Sequence, residues 1–179
     1  MEEQRNVQGG QPDDQSSETE RTTTPSLIAA ALQREHPDSI TEVVDALGET
    51  TITIPRDHIA AACEFLKTAP GIEFNFLADL CGFDRGPEEE PRFEVNYHLF
   101  STTKHHRVRL KVLLNEDDAH VPSVNGIWRT ANWHERETYD LFGVVFDGHP
   151  DLRRILFLMI VRVTRCEKIF RCEVTSRTA

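Results

Sequence analysis

This sequence is poor in the residues from which most redox, metal and nucleotide sites are built. It has four cysteines (Cys63, Cys81, Cys166 and Cys172), no two of them spaced as Cys-x-x-Cys, so neither a cluster-binding run nor a disulfide framework is expected. It has no Gly-x-Gly-x-x-Gly and no Walker loop, and Gly9-Gly10 sits in a polar tail. A zinc protease needs His-Glu-x-x-His on a helix. Here His134-Glu135 is followed by Arg136, Glu137 and Thr138, so the second imidazole is missing. His105, His106, His134 and His149 have no coherent ligand spacing. Cations are outnumbered, 20 Lys and Arg against 30 Asp and Glu. The resulting net charge of −10 argues against a generic nucleic-acid binder. The start at Met1 lacks a basic and then apolar leader, and the densest apolar run, Ile155 to Val161, is too short to cross a bilayer. The expectation is a soluble protein of a reducing compartment.

What the chain does contain reads as one domain with appendages. Residues 1–24 are polar and acidic, with Val7 the only large apolar residue after Met1, and are expected to stay disordered. Thr24-Pro25 opens a helix with an apolar stripe of Leu27, Ile28, Ala31 and Leu32, ended by Pro37. Ile40–Ala46 and Thr50–Ile54 suit two strands around a Leu47-Gly48-Glu49 turn. A second helix is expected over about Arg56–Thr68, burying Ile59, Ala62, Cys63 and Leu66. This makes Cys63 a packed thiol, since nothing in its surroundings would lower its pKa. Phe74–Phe83 reads as a strand, or a short helix and then a strand. Asp84–Pro91 reads as an exposed loop. Phe93, Val95, Tyr97 and Leu99 alternate with polar residues, as do Val108, Leu110, Val112 and Leu114. These two strands predict a hairpin with one wet face, on which Arg107, Arg109 and Lys111 meet Glu94. The alternative reading of that cationic row is a docking strip. No internal repeat is present. The fold class expected is α+β: a mixed or antiparallel sheet with helices packed on one face, in two layers.

The stretch from Ala131 to Leu156 is the most informative. Asn125–Phe142 predicts a helix, or a turn and a helix, stopped by Gly143. Trp128, Ala131, Glu135, Tyr139 and Phe142 share one face at helical spacing. Glu135 therefore lies on an apolar stripe and needs partners; backbone amides of the following loop, or Arg153, are the expected ones. Glu137 and Asp140 point elsewhere, to solvent or to another protein. Glu135, Glu137 and Asp140 could serve carboxylate catalysis, but beside Arg129 and Arg136 an ion-pair network is the plainer reading. After Gly143, Val144 and Phe146 form a short extended segment. Gly148, His149 and Pro150 turn the chain, and Arg153 and Arg154 follow beside Leu152, Ile155 and Leu156. Aromatic, arginine and acid together are the composition of a protein–protein hot spot.

This run resembles the signature of the 30-kilodalton-class subunit, the C subunit, of proton-pumping NADH:quinone oxidoreductase (respiratory complex I). The residues that carry the resemblance are Trp133, Glu135, Arg136, Glu137, Tyr139, Asp140, Phe142, Gly143, Phe146, Gly148, His149, Pro150, Leu152, Arg153 and Arg154. It is specific over Asn132–Leu156 and looser back to about Pro25, making 25–156 the expected family domain. The resemblance implies a peripheral-arm subunit on the cytoplasmic side of a bacterial inner membrane, touching the membrane only through the complex. It implies no catalytic residue, metal or cofactor in this subunit. NADH, FMN, iron–sulfur clusters and quinone belong to partner subunits, and the D and B subunits are the expected neighbours. The equivalent subunit of a related membrane-bound hydrogenase is the alternative; an independent hydrolase is the remaining one.

Beyond Leu156 the sequence departs from the family, whose members continue Pro-Asp-Asp-Trp-Glu-Gly-His-Pro-Leu-Arg-Lys-Asp-Phe-Pro. Codons compatible with Phe157 onward, read from the last base of the first codon, give Pro-Asp-Asp-Cys-Glu-Gly-His-Pro-Leu-Arg-Lys-Asp-Phe-Pro. Residues 157–179 are therefore expected to be a frameshift product, in which Cys166 and Cys172 carry no function. Sequencing the DNA over Ile155–Val163 tests this: codons incompatible with the shifted reading would end the idea.

Overall fold

The computed structural model describes residues 23–156. The expected acidic tail, apart from its last two residues, and the expected frameshifted segment lie outside them. The first helix, α1, spans Thr23–Glu35, starting one residue before the Thr24 expected to cap it. It buries Ile28, Ala29 and Leu32, while Leu27 is 62% exposed, so the buried stripe is rotated from the one expected. Strands β1 (Glu42–Ala46) and β2 (Glu49–Thr53) pair antiparallel through a tight turn at Leu47 and Gly48. Both turn residues have positive φ, 53° and 78°, as a two-residue hairpin demands. A 3-10 turn at Arg56–His58 leads into α2, Ile59–Thr68. Its buried face is Ile59, Ala62, Cys63 and Leu66, the set that the helical spacing predicts.

The strands β3 (Phe76–Asp84), β4 (Phe93–Phe100) and β5 (Arg107–Leu114) complete a five-stranded sheet in the order β1-β2-β5-β4-β3. The β4–β5 hairpin is antiparallel with Tyr97 opposite Leu110. One of its faces is buried at every second residue, which is the expected alternation. On the other face Lys111 reaches Glu94 at 3.2 Å, as expected, whereas Arg109 turns to Glu49 on β2 at 2.6 Å. The β2–β5 pairing is parallel, so the sheet is mixed. Ile28, Ala29 and Leu32 of α1 and Ile59, Ala62, Cys63 and Leu66 of α2 join one core with Ile52, Leu80, Val95, Tyr97, Leu110 and Val112, to which the third helix adds the fully buried Ala131. This is the α+β architecture the sequence predicts.

One loop residue behaves differently from its expected exposure. Asp84 ends β3 and is buried, because Arg92 grips both its oxygens at 2.9 and 3.1 Å while also meeting Glu116 at 2.8 Å. That fork ties β3 to the start of β4, and the two carboxylates hold the Arg92 guanidinium firmly in its charged form. After β5 the chain forms β6 (His120–Pro122), α3 (Ala131–Phe142) and β7 (Val145–Asp147). Strands β6 and β7 pair in parallel on either side of α3 in the sequence, with Val121 opposite Phe146. Among the described residues no helix is long and apolar enough to cross a membrane.

Candidate functional site

The predicted site is α3 with the loops that enter and leave it. A turn closes first, with the Trp128 N–H donating to the Val124 carbonyl at 3.0 Å and the Ala131 N–H to the Trp128 carbonyl at 3.0 Å. The helix then runs to Phe142. Gly143 stops it in the left-handed conformation (φ 76°), its N–H donating to the Tyr139 carbonyl at 2.9 Å. The turn-then-helix reading and its glycine stop are therefore correct.

Glu135 is fully buried, as its phase on the helix implies. Its partners are on the preceding loop, which corrects the expected following loop or Arg153. Ser123 Oγ donates to Oε2 at 2.6 Å and the Val124 N–H to Oε1 at 2.7 Å. The side chain of His149 is equally buried, with Nε2 3.9 Å from Glu135 Oε2. The Asp151 N–H donates to His149 Nδ1 at 3.0 Å, so the neutral ring carries its proton on Nε2 and points it at the Asn132 carbonyl, 3.2 Å away. Burial pushes the Glu135 carboxyl up to about 7, only partly opposed by the Ser123 and Val124 hydrogen bonds.

Asp140 also departs from its expected outward direction. It is 1% exposed, and Oδ2 accepts the N–H groups of Ile155 at 2.9 Å and Leu156 at 2.7 Å. Arg154 Nε lies 3.7 Å from Oδ1. Arg136, itself buried, donates from Nε to the Arg153 carbonyl at 3.2 Å. The helix thus holds its entry loop through Glu135 and its exit segment through Asp140 and Arg136. The expected ion-pair network is largely replaced by side chains clamping backbone.

The remaining predicted residues divide between packing and surface. Phe142 is half-buried over Gly82 of β3, Phe146 is buried in β7, and Leu152 packs on the core. Gly148 has a φ of 81°, a turn geometry that suits glycine. Tyr139 is half-buried; Glu137, Pro150 and Arg153 are exposed. Arg153 pairs with Asp151 at 3.0 Å rather than with Glu135. Trp133 is 63% exposed, and the Arg136 guanidinium lies over its ring at 4.9 Å from the centroid. Glu135, Glu137 and Asp140 thus face an entry loop, solvent and an exit segment, and do not converge as a catalytic pair. Cys63 is fully buried, and burial pushes its thiol far above the ordinary range, consistent with a packed side chain. Among the described residues no group of three or more His, Cys, Asp or Glu is placed to hold a metal ion.

Sequence reasoning missed Ser123 and Val124 as partners of Glu135, and the Arg92–Asp84–Glu116 fork. An isolated serine, a backbone amide and an arginine opening a strand carry no local signal. Only the helical phase, which demands partners for Glu135, pointed toward the first of them.

Comparison with known proteins identifies the family. Residues 52–161 match the family described as respiratory-chain NADH dehydrogenase, 30 Kd subunit. The chain is 50% identical over 131 residues to the NADH-quinone oxidoreductase C 2 subunit of Rhizobium etli (strain CIAT 652), covering 73% of this chain and 69% of that protein. Against NADH-quinone oxidoreductase C subunits of other bacteria, the match spans from 53% to 75% of their own length. Among solved structures, the trypsin-resistant fragment of Nqo5 is 33% identical with a TM-score of 0.56, covering 72% of this chain and all of the fragment. A chain of the membrane-bound sulfane sulfur reductase, an archaeal respiratory membrane complex, shares the fold at 22% identity and a TM-score of 0.59, covering 74% of this chain and 75% of its own. The chain therefore belongs to the 30-kilodalton subunit family of the respiratory-chain NADH dehydrogenase.

Proposed function

We propose that the chain is a structural subunit in the peripheral arm of NADH:quinone oxidoreductase, at the cytoplasmic side of the inner membrane. In this reading it holds no flavin, iron–sulfur cluster or quinone, and braces the D and B subunits of the quinone site while electrons pass from NADH to quinone and protons are pumped. One observation carries the proposal: the two buried acids of the α3 motif are committed to holding its own loops. Glu135 takes Ser123 and Val124, and Asp140 takes Ile155 and Leu156. What the motif leaves at the surface includes Trp133 under Arg136, Glu137, Pro150, Leu156 and an Arg153 paired with Asp151. A rigid aromatic with arginines is recognition chemistry. The 50% identity to the Rhizobium etli NADH-quinone oxidoreductase C 2 subunit favours this assembly over a hydrogenase-type relative.

The test is assembly in the host membrane. Trp133→Ala and Arg153→Ala chains should fold normally, yet the membranes should lose several-fold in assembled complex and in quinone reduction by NADH. Normal complex levels in both variants would overturn the interface assignment. Turnover by the purified chain alone would favour an enzyme instead.

A further inference from the structure

The main sheet ends on one side at β1, which among the described residues has β2 as its only strand neighbour. All five of its residues are exposed, Val43 at 41% and Val44 at 42%, and Leu47 in the adjoining turn projects fully into solvent. Every second residue of an edge strand presents an N–H and a C=O that its neighbour cannot use. Soluble domains ordinarily protect such an edge with lysine, proline, a bulge or a covering helix. Among the described residues strand β1 has no proline, bulge or covering helix, and its only charges are the two acids Glu42 and Asp45. It reads Glu-Val-Val-Asp-Ala, it is in unbroken register with β2 over its whole length, and both its faces are open.

We propose that β1 is an augmentation edge, which receives an extended segment of a partner chain carrying lysine or arginine beside β-branched residues. The charge pattern selects this occupant. Glu42 and Asp45 are the only ionisable groups on the strand, and both are acidic. Asp45 Oδ1 takes the Thr50 hydroxyl at 2.6 Å, which leaves the carboxylate its negative charge at the surface. A second copy is a poor fit. Two β1 strands paired antiparallel about Val44 would set Asp45 diagonal to its own copy on one face and leave both Glu42 on the other, with no cation on either strand to offset them, whereas a cationic partner offsets all of these charges. The register sets Val43 and Asp45 on the face of Ile52 and Thr50, and Glu42 and Val44 on the other. An incoming strand therefore needs apolar and cationic side chains on both faces. Backbone hydrogen bonds supply the affinity in this mode, and the side-chain pattern supplies the choice of partner. The proposal is separate from the α3 surface, since α3 packs on β3 at the opposite end of the sheet.

The test uses the full chain with two blocked peptides at millimolar concentration, Thr-Lys-Val-Val-Lys-Thr and Thr-Glu-Val-Val-Glu-Thr. Amide hydrogen exchange across Glu42–Ala46 is followed with each. The lysine peptide should slow exchange there by about tenfold or more, a shift large enough to separate a paired edge from a fraying one, and the glutamate peptide should not. The double variant Glu42→Lys/Asp45→Lys, whose exposed positions leave the core intact, should reverse that preference, with a thermal midpoint lowered by no more than the lost Thr50–Asp45 hydrogen bond accounts for. Equal or absent protection by the two peptides would overturn the proposal. So would protection without peptide that rises with protein concentration, which would make a second copy the occupant.

Discussion

The two end strands of the sheet differ in what lies over them. At β3, α3 lies so close that a Cβ on Gly82 would come within 2.6 Å of Phe142 and 2.8 Å of Thr138. His134 on the same helix reaches Asp79 of β3 at 3.6 Å. At β1 the strand is exposed along its length. The difference teaches where the chain completes itself. On the β3 side α3 lies over one face of the strand, seated on a residue without a side chain, while Phe76 and Phe83 of that strand stay exposed. The β1 side carries exposed valines and two acids, and all five of its residues are exposed among the described residues.

The largest effect is expected from breaking the packing of α3 on β3. Gly82→Val puts branched carbons where the ring of Phe142 and the methyl of Thr138 already lie. Overpacking of this kind should cost about 3 kcal/mol in urea unfolding. A loss under about 1 kcal/mol would mean that α3 rests on β3 loosely and that the two edges differ less than their geometry implies.

Releasing the exit segment from α3 is the next step down. Asp140→Ala leaves the Ile155 and Leu156 N–H groups without their acceptor, a loss of about 2 kcal/mol for hydrogen bonds to a charged group. The damage should be local: trypsin should cut at Arg153 and Arg154 faster than in the unaltered chain, with the core still protected. Uniform protection of both sites would show that the packing of Leu152, rather than Asp140, holds the segment.

Glu135 tests the same helix through pH. Its carboxyl is held at about 7 against an ordinary 4.5, chiefly by burial. The unfolded chain therefore releases this proton at lower pH than the folded chain. The contribution of Glu135 to stability is most favourable below about pH 4.5, declines as pH rises toward about 7, and is level above that. The fall is on the order of 3 kcal/mol at most. Glu135→Gln removes the titration, so the stability difference between the two proteins, followed by urea unfolding across this range, should drift in favour of the glutamine variant as pH rises. A difference that does not change with pH would show that Ser123 and Val124 keep the carboxyl ionised throughout.

Much of this molecule is legible from period alone. The alternation of Phe93 to Leu99 and of Val108 to Leu114 fixes which face of the hairpin is buried, because successive strand residues point to opposite sides. The face of α2 follows equally from its 3.6-residue repeat. The α3 motif gives its own stop at Gly143 and its own buried carboxylate at Glu135. What period cannot give is the partner. The phase of Glu135 says that it is buried, yet the groups that satisfy it, Ser123 and Val124, come from before the helix rather than after it. Asp140 does face away from Glu135, but that side is covered by the returning chain. Leu27 fits the apolar stripe of α1 by spacing and is exposed because the helix rests on its Ile28, Ala29 and Leu32 side instead. The parallel pairing of β2 with β5 spans two intervening strands and a helix, so no local pattern announces it.

The smallest expected effect is at the open edge, and it is informative because it should be small. Val44→Thr replaces one β-branched residue by another of similar shape and strand preference. At 42% exposure Val44 surrenders little apolar surface when its methyl becomes a hydroxyl, and the hydroxyl remains in water. The isolated chain should change by less than about 0.5 kcal/mol in urea unfolding, the range of a surface substitution. A loss above about 1 kcal/mol would mean that β1 is already packed against something within this chain, and the contrast between the edges would disappear. If the loss is small in the isolated chain but assembly in the membrane weakens, Val44 is covered only in the complex, and the bare edge is the half of an interface that this chain supplies.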